Sequence, residues 1–470
     1  MAVEPGLLIN KEDKIQESNK DSYNLRKAIS FRDGFFVVYF CCMTITTKAL
    51  YSIFKEHPSV QTDTRLLAPG DLYFALKGPQ FNGNAFAMEA LQKGAAFAIV
   101  DDAGVAEKSD RCLLVEDSLR ALQDLAKYHR EQFQVPVLAI TGSNGKTTTK
   151  ELIHAVLSST FRTYTTRGNL NNHIGIPLTL LRIKPDAEMA IVEMGANHLK
   201  EIEAYCLYTQ PTHGIITNCG KAHLEGFGSE EGVRKGKGEL FDYLRSHHGT
   251  VFINHDYGYL REMSKGIPGV FTYGTKNAQL TGIVTRNQPF IGISLATGQE
   301  HFSIQTRLVG DYNLPNVLAA VAAGIYFKVS LPQIISSIEN YVPSNSRSQL
   351  VEKNGNHIIL DAYNANPSSM SLAIENFARL KGDSKILVLG AMAELGEESL
   401  VEHEKIISLI RSLPWKEVIL VGGDFLKLNH PFRKFADSSE AKQWFDTQHF
   451  KDAYILVKGS RSMQMEKVVG

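Results

Sequence analysis

The sequence predicts an α/β protein of three domains: a small N-terminal α/β unit, a central α/β domain with a mostly parallel sheet around a P-loop, and a C-terminal Rossmann-like α/β domain. Three observations predict it. An apolar, β-prone run from Val137 to Ile140 leads into a glycine-punctuated turn, followed by Lys146, Thr147 and apolar residues at Leu152, Ile153, Val156 and Leu157, which is helical spacing. Between residues 131 and 343 further apolar runs end on polar residues, as in Met189-Ala-Ile-Val-Glu193. Beyond residue 343 short, nearly continuous apolar runs alternate with stretches long enough for a helix, the pattern of a parallel sheet covered on both faces.

Composition narrows the class. A chain of 470 residues exceeds what one core supports, and ordinary domain sizes give about three. Fifty basic residues balance fifty acidic ones, so nothing argues for a nucleic-acid-binding or polyanion-binding protein. Cys41, Cys42, Cys112, Cys206 and Cys219 lack paired spacing and read as reduced thiols of a cytoplasmic protein. No apolar run approaches the roughly 20 residues of a membrane span.

Taken in order, residues 1–42 are polar and charged until the short apolar run Phe35 to Cys42, after which Met43 begins a cleaner globular pattern. The segment reads either as an extension upstream of a natural start at Met43 or as an N-terminal arm. Residues 43–130 form the first domain, where turns alternate with a short strand from Leu72 to Leu76. Its Thr64, Arg65, Lys77 and Gly78 suit an anionic or nucleotide-like ligand, although surface turns are the commoner origin of such residues.

Residues 131–343 form the second domain. In Thr141-Gly-Ser-Asn-Gly-Lys-Thr-Thr148, Gly142 and Gly145 let backbone N–H groups turn inward on phosphate oxygens, with Ser143 and Asn144 between them. The helix that follows offers its positive end, Lys146 reaches the β- and γ-phosphates, and Thr147 suits Mg²⁺. Ile140 stands where the commoner P-loop has a further glycine. Ligands gather at the carboxyl ends of strands in open α/β sheets, where Glu193 and His223 fall. A buried acid there is unfavourable unless paired or metal-bound, so Glu193 is a Mg²⁺ ligand facing Thr147 or a structural acid. Asn313 and Asn316 precede an alanine-rich run; helix caps are the simplest reading, and presentation of amides to adenine is the alternative. Residues 344–470 form the third domain, with strands at 357–361, 385–390, 417–422 and 454–458 and with Asp361 and Lys458 at strand ends.

Together these residues resemble the Mur ligase family, ATP-dependent amide-forming enzymes of peptidoglycan synthesis. Besides Thr141–Thr148, the motifs are Gly168-Asn-Leu-Asn-Asn-His-Ile-Gly-Ile-Pro177, Glu193-Met-Gly-Ala-Asn-His198, Thr217-Asn-Cys-Gly-Lys-Ala-His223, Lys237-Gly-Glu239 and Gly310-Asp-Tyr-Asn313-Leu-Pro-Asn316, in the family's order. Asp361-Ala-Tyr-Asn-Ala-Asn-Pro-Ser-Ser-Met370, Leu389-Gly-Ala-Met-Ala-Glu-Leu-Gly396 and Val457-Lys-Gly-Ser-Arg-Ser-Met463 look most like the branch that adds D-alanyl-D-alanine. Ala391 departs from a common Asp, and Asn84 from a common His.

The resemblance implies a central P-loop ATPase-like domain and a first domain that binds the UDP end of its substrate through Thr64, Arg65, Lys77 and Gly78. It places ATP on Gly142, Ser143, Asn144, Gly145, Lys146, Thr147 and Thr148, with Asn313, Asn316, Arg347 and Asp361 completing the site. Two Mg²⁺ ions are implied, one on Thr147 and Glu193, the other on Glu193, His223 and Lys237. A free ammonium beside a dication is unfavourable; in the family the matching lysine is carbamylated, which makes it an acid. Lys146, Glu193, His223 and Lys237 are thus the implied catalytic set. Asn171, Asn172 and His173 are expected near the acceptor carboxylate. The expected substrates are UDP-N-acetylmuramoyl-tripeptide and D-alanyl-D-alanine, the expected enzyme a cytoplasmic monomer, and the alternative a sister Mur or folylpolyglutamate-type ligase with another amine.

Overall fold

A computed structural model describes residues 44–344 and 346–470 in full, together with the backbone of the strands Lys27–Arg32 and Phe35–Phe40, which pair antiparallel. The choice between an extension and an arm for residues 1–42 concerns a segment of which only those two strands are described. The chain divides into two compact units, Met1–Gln132 with Leu180–Arg182, and Phe133–Thr179 with Ile183–Gly470.

In the first unit the strands Val60–Gln61, Leu72–Phe74, Phe97–Val100 and Cys112–Leu114 form a parallel sheet in that order. Leu72, Tyr73 and Phe74 are all buried, consistent with a strand covered on both faces. The expected strand to Leu76 stops at Phe74, because Leu76 O turns to accept from Gly83 N–H at the base of a small hairpin, Lys77–Gly78 with Phe81–Asn82. Helices Thr47–Glu56 and Ser118–Arg130 pack together, each opened by a side-chain cap, Thr46 and Asp117.

The second unit carries two sheets. Its nine-stranded sheet runs Thr163–Thr165, Met189–Glu193, Val137–Thr141, His213–Ile216, Thr250–Asn254, Gly269–Gly274, Leu280–Asn287, Phe290–Thr297, Glu300–Val309. The strands are parallel as far as Leu280–Asn287, and the last three pair antiparallel. Val137–Thr141 and Met189–Glu193 are buried at every residue, so the continuous apolar runs read in the sequence are central strands. After Val137–Thr141 the chain places its next two strands on one side and His213–Ile216 on the other; that change of direction is where α/β sheets open a crevice for ligands.

Helix Leu314–Tyr326 lies against helix Lys146–Ser158, and its small residues set the spacing: a Cβ on Gly324 would sit 2.7 Å from Val156 Cγ1. The second sheet runs Gln349–Lys353, Asn356–Asp361, Tyr454–Lys458, Lys385–Gly390, Glu417–Val421, Arg433–Phe435, parallel except for its first strand. The mainly parallel α/β reading therefore holds. No helix among the described residues is long and apolar enough to cross a membrane.

Candidate active site

The P-loop joins the end of Val137–Thr141 to the helix Lys146–Ser158. Two of its positions accept only glycine. Gly142 has φ +142° and a Cβ there would sit 2.0 Å from Thr217 Oγ1; Gly145 has φ +79° and its Cβ would meet Asn316 Oδ1 at 2.5 Å. The loop is held in shape from the strand end next door. Ser143 Oγ donates to Gly220 O (2.9 Å), Asn144 N–H to Asn218 Oδ1 (3.1 Å), and both Thr217 Oγ1 (2.6 Å) and Asn218 Nδ2 (3.0 Å) donate to Asn144 O. These bonds leave the first-turn N–H groups, including those of Lys146, Thr147 and the half-buried Thr148, at the open end of the helix.

Lys146 Nζ lies back on the loop, donating to Gly142 O (2.7 Å) and Ser143 O (3.2 Å). Burial pushes its pKa down and the Arg347 guanidinium adds to that, while the Glu193 and Glu394 charges oppose it. Such an ammonium is held beside carbonyl oxygens that an incoming phosphate can replace.

Behind the loop, parallel pairing sets Glu193 opposite Ile140. Its Oε1 accepts from Thr147 Oγ1 (3.1 Å) and Asn171 Nδ2 (2.8 Å), and its N–H donates to Thr166 Oγ1 (3.0 Å). Glu193 is 1% exposed, yet its Oε2 has no hydrogen-bond partner among the described residues. The nearest cation is Lys150, itself buried, with Nζ 3.7 Å from Oε2 and donating to Thr166 O. An unpartnered buried carboxylate oxygen beside a threonine hydroxyl is a donor set that fits a Mg²⁺ ion.

His223 and Lys237 are placed differently. His223, at φ +52°, sets Nδ1 2.5 Å from Glu394 Oε2, and this contact holds the Glu394 carboxyl below its usual pKa. Lys237, on the helix Glu230–Ser246, is fully buried; its Nζ donates to Ala196 O (2.7 Å) and lies 5.0 Å from the Phe227 ring centroid. Burial, and then the Lys146 charge, push the Lys237 pKa down to about 7. Among the described residues no three His, Cys, Asp or Glu side chains are grouped to hold a metal. The second expected ion site is thus not assembled from side chains as they stand: His223 is engaged with Glu394, and Lys237 becomes an oxygen ligand only once modified.

Asn313, at the N-cap position of the helix Leu314–Tyr326, and Asn316 in its first turn are buried, and the Asn313 side chain makes no cap hydrogen bond. Asn313 Nδ2 donates to Val309 O (2.8 Å), Asn316 Nδ2 to Asn313 Oδ1 (2.9 Å), and Thr149 Oγ1 to Asn316 Oδ1 (3.0 Å). The simplest sequence reading, two caps, is therefore corrected: the side chains turn inward and brace the phosphate loop at Gly145. From the second sheet, Arg347 stacks its guanidinium 3.5 Å from the Tyr363 ring centroid, between Ser346 and Ser348, both at positive φ. Asp361 accepts from Ser348 N–H (3.1 Å) and from Lys458 Nζ (2.6 Å).

Asn172 Oδ1 accepts from the N–H groups of Ile174 and Gly175, closing the turn into the helix Gly175–Leu180, whereas its neighbour Asn171 reaches Glu193. His173 is exposed, beside that turn. In the first unit, Arg65 is exposed and paired with Asp63 at 2.6 Å, Thr64 O accepts from Lys93 Nζ, and Gly78 faces Phe81. Lys77 Nζ lies 2.9 Å from Asp101 Oδ1, which also accepts from Asn84 Nδ2 (2.6 Å). Sequence reasoning missed Lys150, Thr166, Asn366 and Glu394. Lys150 left a signal, being one helical turn beyond Lys146 on the helix that faces Glu193, and Asn366 stands before Pro367 as a helix cap does.

Family models match along the chain in three blocks: a Mur ligase family catalytic domain at residues 58–130, a Mur ligase middle domain at 140–324 and a Mur ligase glutamate ligase domain at 346–464. The UDP-N-acetylmuramoyl-tripeptide–D-alanyl-D-alanine ligase of Bacillus subtilis is 34% identical over 424 residues, covering 87% of this chain and 92% of its own. The chain belongs to the Mur ligase family. The equally named Escherichia coli enzyme is 35% identical over 438 residues with the same coverage. Among solved structures, MurF from Thermotoga maritima in complex with ADP superimposes with a TM-score of 0.79 at 27% identity, covering 87% of this Mur ligase and 96% of that chain.

Proposed function

We propose that this Mur ligase joins D-alanyl-D-alanine to UDP-N-acetylmuramoyl-tripeptide, with cleavage of ATP to ADP and phosphate. The observation that carries the reaction class is the shaped phosphate loop with Thr147 and the open Glu193 Oε2 directly behind it. The substrate pair rests on relatives of that name that align along most of the chain.

The tripeptide's terminal carboxylate attacks the γ-phosphorus of ATP, giving an acyl phosphate and ADP. The amine of D-alanyl-D-alanine then attacks the acyl carbon, an amide forms, phosphate leaves, and the amine gives up a proton. Two anions must meet in the first step. Lys146 exchanges its loop carbonyls for the β- and γ-oxygens, and the N–H groups of the first helical turn receive the remaining phosphate charge. Arg347 supplies a second positive charge, a guanidinium, near Lys146, and Asp361 and Lys458 fix the strand end beside it. Asn171 orients Glu193, and Lys150 balances its charge.

Thr147 and Glu193 would hold Mg²⁺, which supplies charge neutralisation on the phosphates. A buried lysine whose pKa is brought to about 7 offers a neutral amine, the form that adds CO₂, so Lys237 is the candidate carbamate and would supply a carboxylate ligand. The first domain's Thr64, Arg65, Lys77 and Gly78 would take the UDP end, with Lys77 released from Asp101. Phosphate release by the purified protein with UDP-muramoyl-tripeptide, measured with D-alanyl-D-alanine, with other amino acids and with no amine, tests the reading. Release that depends on D-alanyl-D-alanine supports it; release driven by another amine assigns a sister activity.

A further inference from the structure

The loop from Thr217 to His223 faces two ways. Toward the nine-stranded sheet, Thr217, Asn218 and Gly220 make the hydrogen bonds that shape the phosphate loop. Toward the second sheet, Lys221 N–H donates to Ser368 Oγ (3.2 Å), and Lys221 Nζ donates to Glu402 Oε1 at 2.8 Å. Glu402 lies in the helix Ser399–Arg411, 3% exposed, and its Oε1 also receives Lys405 Nζ at 2.8 Å. Burial alone would raise the Glu402 carboxyl, but the two lysines bring it below its usual range, so the acid is ionised. Only one of them comes from its own helix. Asn366 Nδ2 reaches Asn144 Oδ1 in the phosphate loop itself (2.8 Å), so the contact with the second sheet continues up to the loop.

We propose that Lys221 and Glu402 are positioning residues for the ligase reaction, a clasp by which the second sheet's helix layer holds the Thr217–His223 loop and, through it, the phosphate loop. Neither touches ATP or the acyl acceptor. A side chain that merely stabilised the fold would not distinguish between ligands; this one acts on the step in which the loop must hold triphosphate with the second sheet docked. The clasp rests on the ligase reading given above.

The test uses the full-length protein and ADP- or ATP-dependent readouts. Lys221→Met, Glu402→Gln, the double variant and Lys221→Arg are compared for amine-dependent phosphate release, for ADP affinity by calorimetry and for melting temperature. Lys221→Met leaves Glu402 paired with Lys405, and Glu402→Gln leaves no buried charge, so both are expected to fold with melting temperatures near that of the parent. Each is expected to lower kcat/KM for ATP roughly tenfold, with KM for the UDP substrate unchanged, and the double variant to lose no more than either single change. Lys221→Arg restores most of the rate. Parental kinetics in both single variants, or additive losses in the double, overturn the clasp. An inactive parent instead overturns the ligase reading, and calorimetric ADP affinity then still reports on the clasp: a fall in the single variants supports it, and unchanged affinity overturns it.

Discussion

The two halves of the candidate site are built by different means. The half made of Thr141 to Thr148 and Glu193 comes from neighbouring parallel strands and the helix that follows the loop, so strand register and the start of that helix together bring Thr147 to 3.1 Å from Glu193. The half made of His223 and Lys237 comes from a loop and a separate helix, and each of its side chains is engaged with a group outside the catalytic set, Glu394 and Ala196 O. The first half stands assembled in the protein alone, with Glu193 Oε2 left open. The second half does not, and on the proposed reading a modified lysine and bound ligands would complete it.

The hardest blow to the first half is Lys146→Ala. It removes the charge that holds the transferring phosphate, and turnover should fall on the order of a thousandfold. Affinity for UDP-muramoyl-tripeptide, measured by calorimetry, should be unchanged, since those contacts are assigned to the other unit. Near-parental turnover would remove Lys146 from the reaction.

In the second half, Lys237→Ala should cost roughly a hundredfold in kcat, with partial recovery in bicarbonate-independent form when acetate or another short carboxylate is supplied. Full activity without rescue would end the carbamate assignment. A separate readout is the stability of the ligand-free protein against pH. Burial depresses the folded pKa of Lys237 to about 7 from an ordinary value of 10.5, so in that window the unfolded chain binds the proton and the native one does not. Relative to Lys237→Met, stability should therefore rise from pH 7 toward 10.5, and the advantage should vanish as pH falls through 7. Parallel urea profiles for the two proteins across that range would refute the burial argument.

Gly145→Ala probes how tightly the first half is set. An alanine at φ +79° is strained, and its Cβ would strike Asn316 Oδ1, which Thr149 also holds. A loss of about 1–3 kcal/mol is expected from thermal and urea unfolding. Gly168→Ala, at φ +55° with no atom within 4 Å, serves as the control with backbone strain alone.

The same contrast governs what the sequence disclosed. The strand, glycine loop and helix from Val137 to Leu157 were legible because their periodicity and turn chemistry are local, and Glu193 because it closes an apolar run. The strands Leu280–Asn287 and Glu300–Val309 were not, since their faces are only partly covered and leave no clean apolar run. Asn313 read as a cap because asparagine before an alanine-rich run usually is one; its amide instead satisfies Val309 O, a partner fixed by the incoming strand. Lys77 and Arg65 read as contacts for an anionic ligand or as surface-turn residues, while tertiary contact gives Lys77 to Asp101 and a local turn gives Arg65 to Asp63. Glu394 and Glu402 carry no turn or cap signature, and Asn366, legible before Pro367 as a helix cap, gives no local sign of its reach to Asn144, because these contacts exist only once the second sheet lies against the phosphate loop and the loop that follows Ile216.

Glu394→Gln is the mildest and most discriminating probe of that second half. The His223–Glu394 contact is partly exposed on the glutamate side, so it is worth no more than about 1 kcal/mol, equivalent to a severalfold change. The glutamine keeps the shape of the side chain and removes the charge that competes for His223. If the ion pair holds His223 away from the second ligand set, the Mg²⁺ concentration for half-maximal phosphate release should fall about threefold, with kcat and melting temperature nearly constant. A rise in that concentration would mean the reverse, that Glu394 presents His223 to the site, and the half would then be preassembled like its neighbour.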